Sequence, residues 1–479
     1  MFIGVDIGTT NVKAVAFSDK GEILASAARS NRVLSPQSGW NEQEPDAVFR
    51  NVSEVLGEVL HRQAATVKYQ GIVFSSAMHG LAAFDEAGRP LCNFMLWSDL
   101  RADAVATRLK QSGAGAEIYA RTGVPVHAMS PLCKLIWLRE NRSELFQKTH
   151  KFLGIKDYVW YCLTGGYQCD LSVASATGLM NIHTNDWDEM ALALAGVRRE
   201  QLPELVGPGH RAAFAPNWKF AKNSPPLIIG ASDGALANLG SGATDTGQVA
   251  VTIGTSAAIR MVTREPVLDP GMRTFCYRLD MQRCILGGAS NNGANALEWL
   301  RTGVFQSALD AGQFAGLASG APPGADGLFF LPYVLGERAP LYRADATGSF
   351  QGIHSGHGQA HFVRAVMEGV LFNLKVIAEA LENYQPIRTL HAGGGFSQSL
   401  PWVQMLADIF QKPVILHEND ADASVLGAVM LGRELSGLAP LAENRQGRVV
   451  APDAGHAAVY EGLFRKFQIQ ATEFSRPNE

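Results

Sequence analysis

A six-residue pattern that occurs twice constrains this chain more than any other feature. Val5-Asp6-Ile7-Gly8-Thr9-Thr10 returns as Val251-Thr252-Ile253-Gly254-Thr255-Ser256. Both copies sit between apolar, strand-like runs, with Ala14 to Phe17 after the first and Ala257 to Val262 after the second. Such a repeat implies two related halves, each opening with a strand-turn-strand hairpin. The length of 479 residues agrees, because a single core stops growing well below it. The expected boundary lies near residue 245, inside the small-residue stretch Gly240 to Gly247, giving domains 1–245 and 246–479.

The first thirty residues read as a meander of three strands: Phe2 to Val5, Val12 to Phe17 and Ile23 to Ala27. A helix follows, with Pro45 in its first turn and Val48, Val52, Val55, Leu56, Val59 and Leu60 at helical spacing. Gly71 to Ser75 reads as a buried strand, and strands alternate with helices thereafter. The fold class is therefore α/β. A net charge of −4 without long like-charge runs argues against nucleic acid or an anionic membrane as partner. No apolar stretch is long enough to span a bilayer. The six cysteines form no C-x-x-C pair, and the N-terminus lacks a basic region before its apolar residues. The expectation is a reduced, cytoplasmic protein acting on a small molecule.

The chemistry concentrates at turns. In the first hairpin Gly8 admits close backbone approach, Thr9 and Thr10 offer hydroxyl and N–H groups, and Lys13 adds charge. Asp6, at a strand end, suits a hydrated Mg²⁺. Gly254 and Thr255 repeat those groups in the second half, and two such hairpins would clamp a polyphosphate across a cleft. Neither a Walker loop nor a dinucleotide G-x-G-x-x-G fingerprint is present. Gly393, Gly394 and Gly395, ahead of Gln398 and a helical pattern, leave room for a flat base beside helix N–H groups. Asp233 follows the apolar run Leu227 to Ile229 at a strand's carboxyl end, where open α/β sheets bind ligands. It reads equally as a general base or as a helix cap. Met78, His79, Trp97, Asp99 and Arg101 supply the aromatic, imidazole and charged mixture that a polyol site needs. For Arg101 a structural ion pair with Asp99 stands beside a role on the acceptor.

The chain resembles the FGGY carbohydrate kinase family of the actin/hexokinase/Hsp70 superfamily nearly end to end. Met129 to Asn141 is similar to the family's first signature; Gly348 to Ile353 with His361-Phe362 and Ala365 to Glu368 is similar to its second. By their own pattern they read as an amphipathic helix, in which Lys134, Leu135 and Leu138 share a face, and as a buried turn and helix. The resemblance implies two ribonuclease-H-like domains with an interdomain cleft. ATP would lie mainly on the second, against Gly254, Thr255, Gly293 and Gly393 to Gly395. The acceptor would lie mainly on the first, against Met78, His79, Trp97 and Asp233. Asp233 would be the base, Asp6 with Asp233 would hold Mg²⁺, and Thr10 and Lys13 would approach the transferred phosphoryl. Asp170 to Leu179, Phe74 to His79 and Leu331 to Pro340 are most similar to segments of gluconate kinases. Xylulose kinases share the Met-His pair and much of the Gly-Glu-Arg segment. Leu100 and Gly80 depart from the usual Asn and Ser, both in the expected substrate pocket. The implied activity is phosphorylation of a sugar or sugar acid, D-gluconate to 6-phospho-D-gluconate ahead of a pentulose; a homodimer is compatible. The other class to weigh is an ATP-binding chaperone, filament or sugar sensor of the same superfamily, which needs no acceptor pocket.

Overall fold

The computed structural model describes residues 1–62, 68–216, 218, 224–417, 423–441 and 447–474. Two mixed sheets organise them. Phe2–Ile7 (β1), Asn11–Phe17 (β2) and Ile23–Ser30 (β3) form the expected meander. Ile72–Ser76 (β4), Arg211–Ala212 (β5) and Leu227–Ser232 (β6) extend it, in spatial order β5-β6-β4-β1-β2-β3. The second sheet comprises Gln248–Ile253 (β7), Ala257–Thr263 (β8), Phe275–Arg278 (β9), Cys284–Ser290 (β10), Thr389–Gly393 (β11), Val414–His417 (β12) and Gly447–Val450 (β13). Its order is β9-β10-β8-β7-β11-β12-β13.

The sequence repeat is a structural repeat. β1 pairs antiparallel with β2 and parallel with β4, and β7 does the same with β8 and β11. The two hairpin tips differ by one residue. Residues 8–11 bridge Ile7 to Val12, whereas 254–256 bridge Ile253 to Ala257. The helix Pro45–His61 (α1) buries Val48, Val52, Val55, Leu56 and Val59 against the first sheet, as its spacing predicts.

The helix of the first signature, Pro131–Asn141 (α2), departs from expectation. It is not amphipathic: Pro131 to Ile136 and Leu138 are all buried, Lys134 completely. A charge in the middle of an apolar helix hides the burial from any periodicity argument. Ile155–Thr164 (α3) and the short Leu171–Ser175 (α4) follow in the first half.

One helix pair joins the halves. Asp233–Gly240 (α5) continues directly from β6, and Ala423–Leu435 (α6) crosses it. An added Cβ on Gly240 would lie 1.8 Å from the Ala423 carbonyl oxygen, and one on Gly427 would lie 1.9 Å from that of Leu236. The backbones therefore touch where only glycine fits. α6 also covers the first sheet, where Gly4 faces Val425. Phe2, Val73 and Ile228 join Leu236, Phe275, Ile285, Val425 and Val429 in one apolar cluster drawn from both halves.

Gly427→Ala should force α5 and α6 apart at the cost of about 2–3 kcal/mol, the scale of overpacking in a tight core. Urea denaturation checks this; a midpoint equal to wild type would show that the crossing tolerates a methyl group.

Candidate active site

Between the halves lies a cavity of about 390 Å³. Asp6, Met78, His79, Trp97, Met129 and Asp233 line it from the first half. Thr252, Ser256, Arg260, Tyr277, Arg338, Tyr342, Gly393 and Gly394 line it from the second.

Asp233 reaches the cavity through a bulge. β6 pairs Ile228 with Val73 but Ala231 with Ser75, a register shift. Gly230, inside that shift, has φ +67°, and a Cβ there would meet the Phe74 carbonyl oxygen at 1.9 Å. The extra residue re-aims the strand end that carries Ser232 and Asp233. Beneath it, Lys156 and Asp170 form a buried ion pair at 2.6 Å. Lys156 also donates to the Ala231 carbonyl at 2.9 Å. Asp170 caps α4 by accepting from Ser172 and Val173 N–H groups, and the Ser172 hydroxyl lies 2.8 Å from that of Ser232. Asp233 itself accepts the Gly234 N–H at 2.6 Å. Burial, then the charge of Asp6, push its carboxyl up to about 7; the Gly234 N–H, Arg260 and Lys156 oppose the rise. Asp6 accepts the Ser75 hydroxyl at 2.7 Å.

The facing wall depends on Lys134. Its ammonium donates to the carbonyls of His79, Met95 and Leu96 at 2.6, 3.1 and 2.7 Å. Burial pulls its pKa down to about 7. Three carbonyl acceptors call for three N–H donors, which only the protonated form has. His79 has φ 67°, a strained value for a residue with a Cβ. Its Nδ1–H donates to the Ala176 carbonyl at 2.9 Å, which leaves Nε2 as an acceptor. Burial and the charges of Lys134 and Arg338 lower its pKa to about 3, so the imidazole is neutral. The Trp97 indole N–H donates to the Thr9 hydroxyl at 3.2 Å.

Several expected residues lie outside the cavity lining. Asp99 and Arg101 pair with one another at 2.7 Å; Arg101 also binds Glu42 and stacks 3.7 Å from the Trp40 ring. Its guanidinium is occupied by structure, so Arg101 is not the cation that faces an acceptor. Thr9, Thr10 and Lys13 belong to the first hairpin beside Asp6, with Lys13 opposite Asp6 across the strand pair. Gly254, Thr255 and Gly293 form the second hairpin tip and its support: the Gly254 and Thr255 carbonyls accept from Ala294 and Asn295 N–H groups. A Cβ on Gly293 would meet the Ser256 backbone at 2.6 Å. Gly395 and Gln398 sit on the turn Gly395–Gln398 that follows the lining residues Gly393 and Gly394. The two departures from the family pattern also fall outside the lining. Gly80 faces Ile155, whose Cγ1 would be 2.7 Å from an added Cβ, and exposed Leu100 packs near Gly39. Neither changes the cavity.

Arg260, Tyr277 and Arg338 were not singled out from the sequence. Arg260 sits inside an apolar strand and Tyr277 in the edge strand beyond β10 of the same sheet, so local pattern marks them as core. Arg338 fell within a quoted segment, but only the fold turns it inward. Its neighbour Glu337 anchors the loop, accepting from the Ser290 hydroxyl at 2.7 Å and the Asn291 N–H at 2.7 Å.

Residues 1–240 match the N-terminal domain and 249–433 the C-terminal domain of the FGGY family of carbohydrate kinases. The chain belongs to that family. It is a carbohydrate kinase, and the family's phosphoryl donor is ATP. A gluconokinase from Bacillus licheniformis is 39% identical over 451 residues, 91% of this chain and 87% of that protein. The solved structure of a gluconate kinase from Lactobacillus acidophilus superposes with a TM-score of 0.94 at 32% identity, covering 99% of this chain and 98% of that one. A ligand-bound xylulose kinase from the same organism gives 0.93 at 33%, with 99% and 98% covered. The kinase fold is thus that of sugar kinases, with two duplicated α/β halves.

Lys134→Met should leave the His79 carbonyl without its donor, at roughly 1–3 kcal/mol, and loosen the His79–Trp97 wall. It should also take one of two donors from the Met95 and Leu96 carbonyls, which still accept from the Leu81 and Asp99 N–H groups. The Michaelis constant for the acceptor should rise about tenfold or more while that for ATP holds. Equal rises for both substrates would show that Lys134 supports the fold in general and not this wall.

Proposed function

We propose that this kinase transfers the γ-phosphoryl group of Mg·ATP to D-gluconate, giving 6-phospho-D-gluconate, with D-xylulose the second reading. The similarity to the Bacillus licheniformis gluconokinase across most of both chains carries the choice of acceptor. The L. acidophilus xylulose kinase, equally similar in fold, keeps the pentulose in view. We assign the acceptor to Met78, His79, Trp97 and Asp233, with the division of the chain near residue 245. The nucleotide belongs to Gly254, Thr255, Gly293, Gly393 to Gly395 and Gln398, with Thr9, Thr10 and Lys13 approaching its phosphates. The six free cysteines support a reducing, cytoplasmic setting, and among the described residues no helix is long and apolar enough to cross a membrane.

Asp233 acts as the general base. Its carboxylate lies at the cavity wall, and the bulge at Gly230 and the Lys156–Asp170 pair hold its strand end in place. It takes the proton of the attacking hydroxyl as that oxygen bonds to the γ-phosphorus and the bond from the γ-phosphorus to the bridging oxygen breaks, releasing ADP. His79, neutral, accepts an acceptor hydroxyl through Nε2 and fixes its orientation. The residues present also fit Mg²⁺. Asp6 and Asp233 both face the cavity, and their like charges oppose one another. Magnesium takes one or two carboxylates and completes its shell with water and phosphate oxygens. Bound there, the ion would neutralise phosphate charge.

The acceptor assignment is tested by kcat/KM for gluconate against xylulose, ribulose, glycerol and neutral hexitols. Gluconate should lead; a pentulose or hexitol preferred tenfold, about 1.4 kcal/mol of transition-state binding, would overturn the assignment and leave the kinase intact.

Asp233→Asn should lower kcat by about 10²–10⁴-fold while ATP still binds. In the wild type kcat/KM should fall as the pH drops through about 7, where the carboxyl of Asp233 becomes protonated and accepts no proton. A variant retaining more than about a tenth of the wild-type rate would exclude Asp233 as the base.

A further inference from the structure

The second half places two guanidinium groups in the cavity, where the charge of Asp233 acts on both and that of Glu337 on Arg338. Arg260 and Arg338 are 8% and 9% exposed, yet among the described residues neither has a carboxylate within ion-pair distance. Arg260 donates from Nη2 to the Thr252 hydroxyl at 3.1 Å, and Arg338 from Nη2 to the Ser290 carbonyl at 3.1 Å. Among the described residues these are the side-chain hydrogen bonds each makes, and both Nε atoms are buried without a partner. An arginine has five N–H donors, and burying it this sparsely satisfied is costly unless something else completes the set. The Tyr277 hydroxyl on the same wall is also buried without a partner. Arg338 stacks 4.7 Å from the Trp97 ring, which turns it toward the acceptor wall. Arg260 points to the same space, with Nη1 3.9 Å from the place of a Cβ on Gly234. Burial lowers the pKa of Arg260; the charge of Asp233 opposes the fall and that of Arg338 adds to it, so the two cations repel.

We propose that Arg260 and Arg338 together bind the carboxylate of an aldonate acceptor, and so make the kinase select acids over neutral polyols. This rests on the gluconate reading above and deepens it. A carboxylate between two guanidinium groups relieves their repulsion and fills the unused donors with charge-assisted hydrogen bonds. A ketose or hexitol leaves the unused donors of both cations without an anionic partner, which is a penalty against the wrong acceptor. The arrangement also makes acceptor recognition a property of both halves. Asp233 and His79 come from the first half, whereas the carboxylate anchors come from the second.

The test is the ratio of kcat/KM for D-gluconate to that for D-xylulose in wild type, Arg260→Gln and Arg338→Gln, together with calorimetric titration of gluconate without nucleotide. Each variant should lose about 100-fold on gluconate, within the range for truncating one partner of a buried charge pair, and about tenfold or less on xylulose. Gluconate affinity should fall in the titration, and Arg338→Lys should recover part of it. Thermal unfolding identifies variants that fail to fold; for those the Lys substitutions carry the comparison. Equal losses on both acceptors with gluconate affinity unchanged would overturn the inference and assign the arginines to the phosphoryl group, while the gluconate reading stands. A wild type that prefers xylulose would overturn both.

Discussion

The contact on which the rest of the structure depends is the glycine-mediated crossing of α5 and α6. Each helix belongs to a different half, and their backbones meet at Gly240 and Gly427 with no room for a methyl group. α5 begins at Asp233, so the crossing also fixes the helix that carries the proposed base. α6 rests on β1, the strand that carries Asp6. One packing event therefore sets where both acids stand relative to the second half. The glycines give up side-chain packing there; the close approach places groups from two domains around one cavity of about 390 Å³.

Charge in that cavity is divided by half. The first contributes Asp6 and Asp233, and the second contributes Arg260 and Arg338. Among the described residues Arg260 and Arg338 make no ion pair with either acid, which leaves the cations available to an anionic ligand. Asp233 illustrates the balance. Enclosure and Asp6 raise its pKa to about 7, close to where a general base is most useful, while Arg260 and Lys156 keep it from rising further. The other charged groups near the site are spent on architecture. Lys156 with Asp170 and Arg101 with Asp99 are buried or nearly so, and each holds a loop or strand end in place.

Much of this was legible in the sequence. The duplicated hexapeptide marked two halves, and it occupies equivalent strands of the two sheets. The α1 spacing named its buried face. Asp6, Met78, His79, Trp97, Asp233, Gly393 and Gly394 were all singled out, and all line the cavity. What escaped has a common physical origin. Arg260 looks like the interruption of an apolar strand. The spacing puts Lys134 on one face with Leu135 and Leu138, but nothing in that spacing shows the whole helix to be buried. In both cases a charged side chain is buried because a long-range partner or cavity receives it, and local periodicity carries no record of such partners. Arg101 shows the reverse error. Its neighbours in sequence are site-like, but Glu42 and Trp40, brought in by the fold, occupy it.

The two family departures illustrate why motif position and site position differ. Gly80 follows His79 directly, so a pocket role is the natural expectation. Yet His79 takes a left-handed backbone conformation, and Gly80 instead meets Ile155 at the start of α3, where an added Cβ would come within 2.7 Å of the isoleucine side chain. Glycine at 80 is therefore matched to a bulky residue at 155, and the chemistry of the cavity is unaffected by the exchange. The same reasoning applies to Leu100, one residue beyond the buried Asp99 and directed to the surface. Acceptor choice must then reside in groups that do line the cavity. Among these, the pair that distinguishes an acid from a neutral sugar by charge is Arg260 and Arg338, and both lie in the half of the chain that sequence motifs had assigned mainly to the nucleotide.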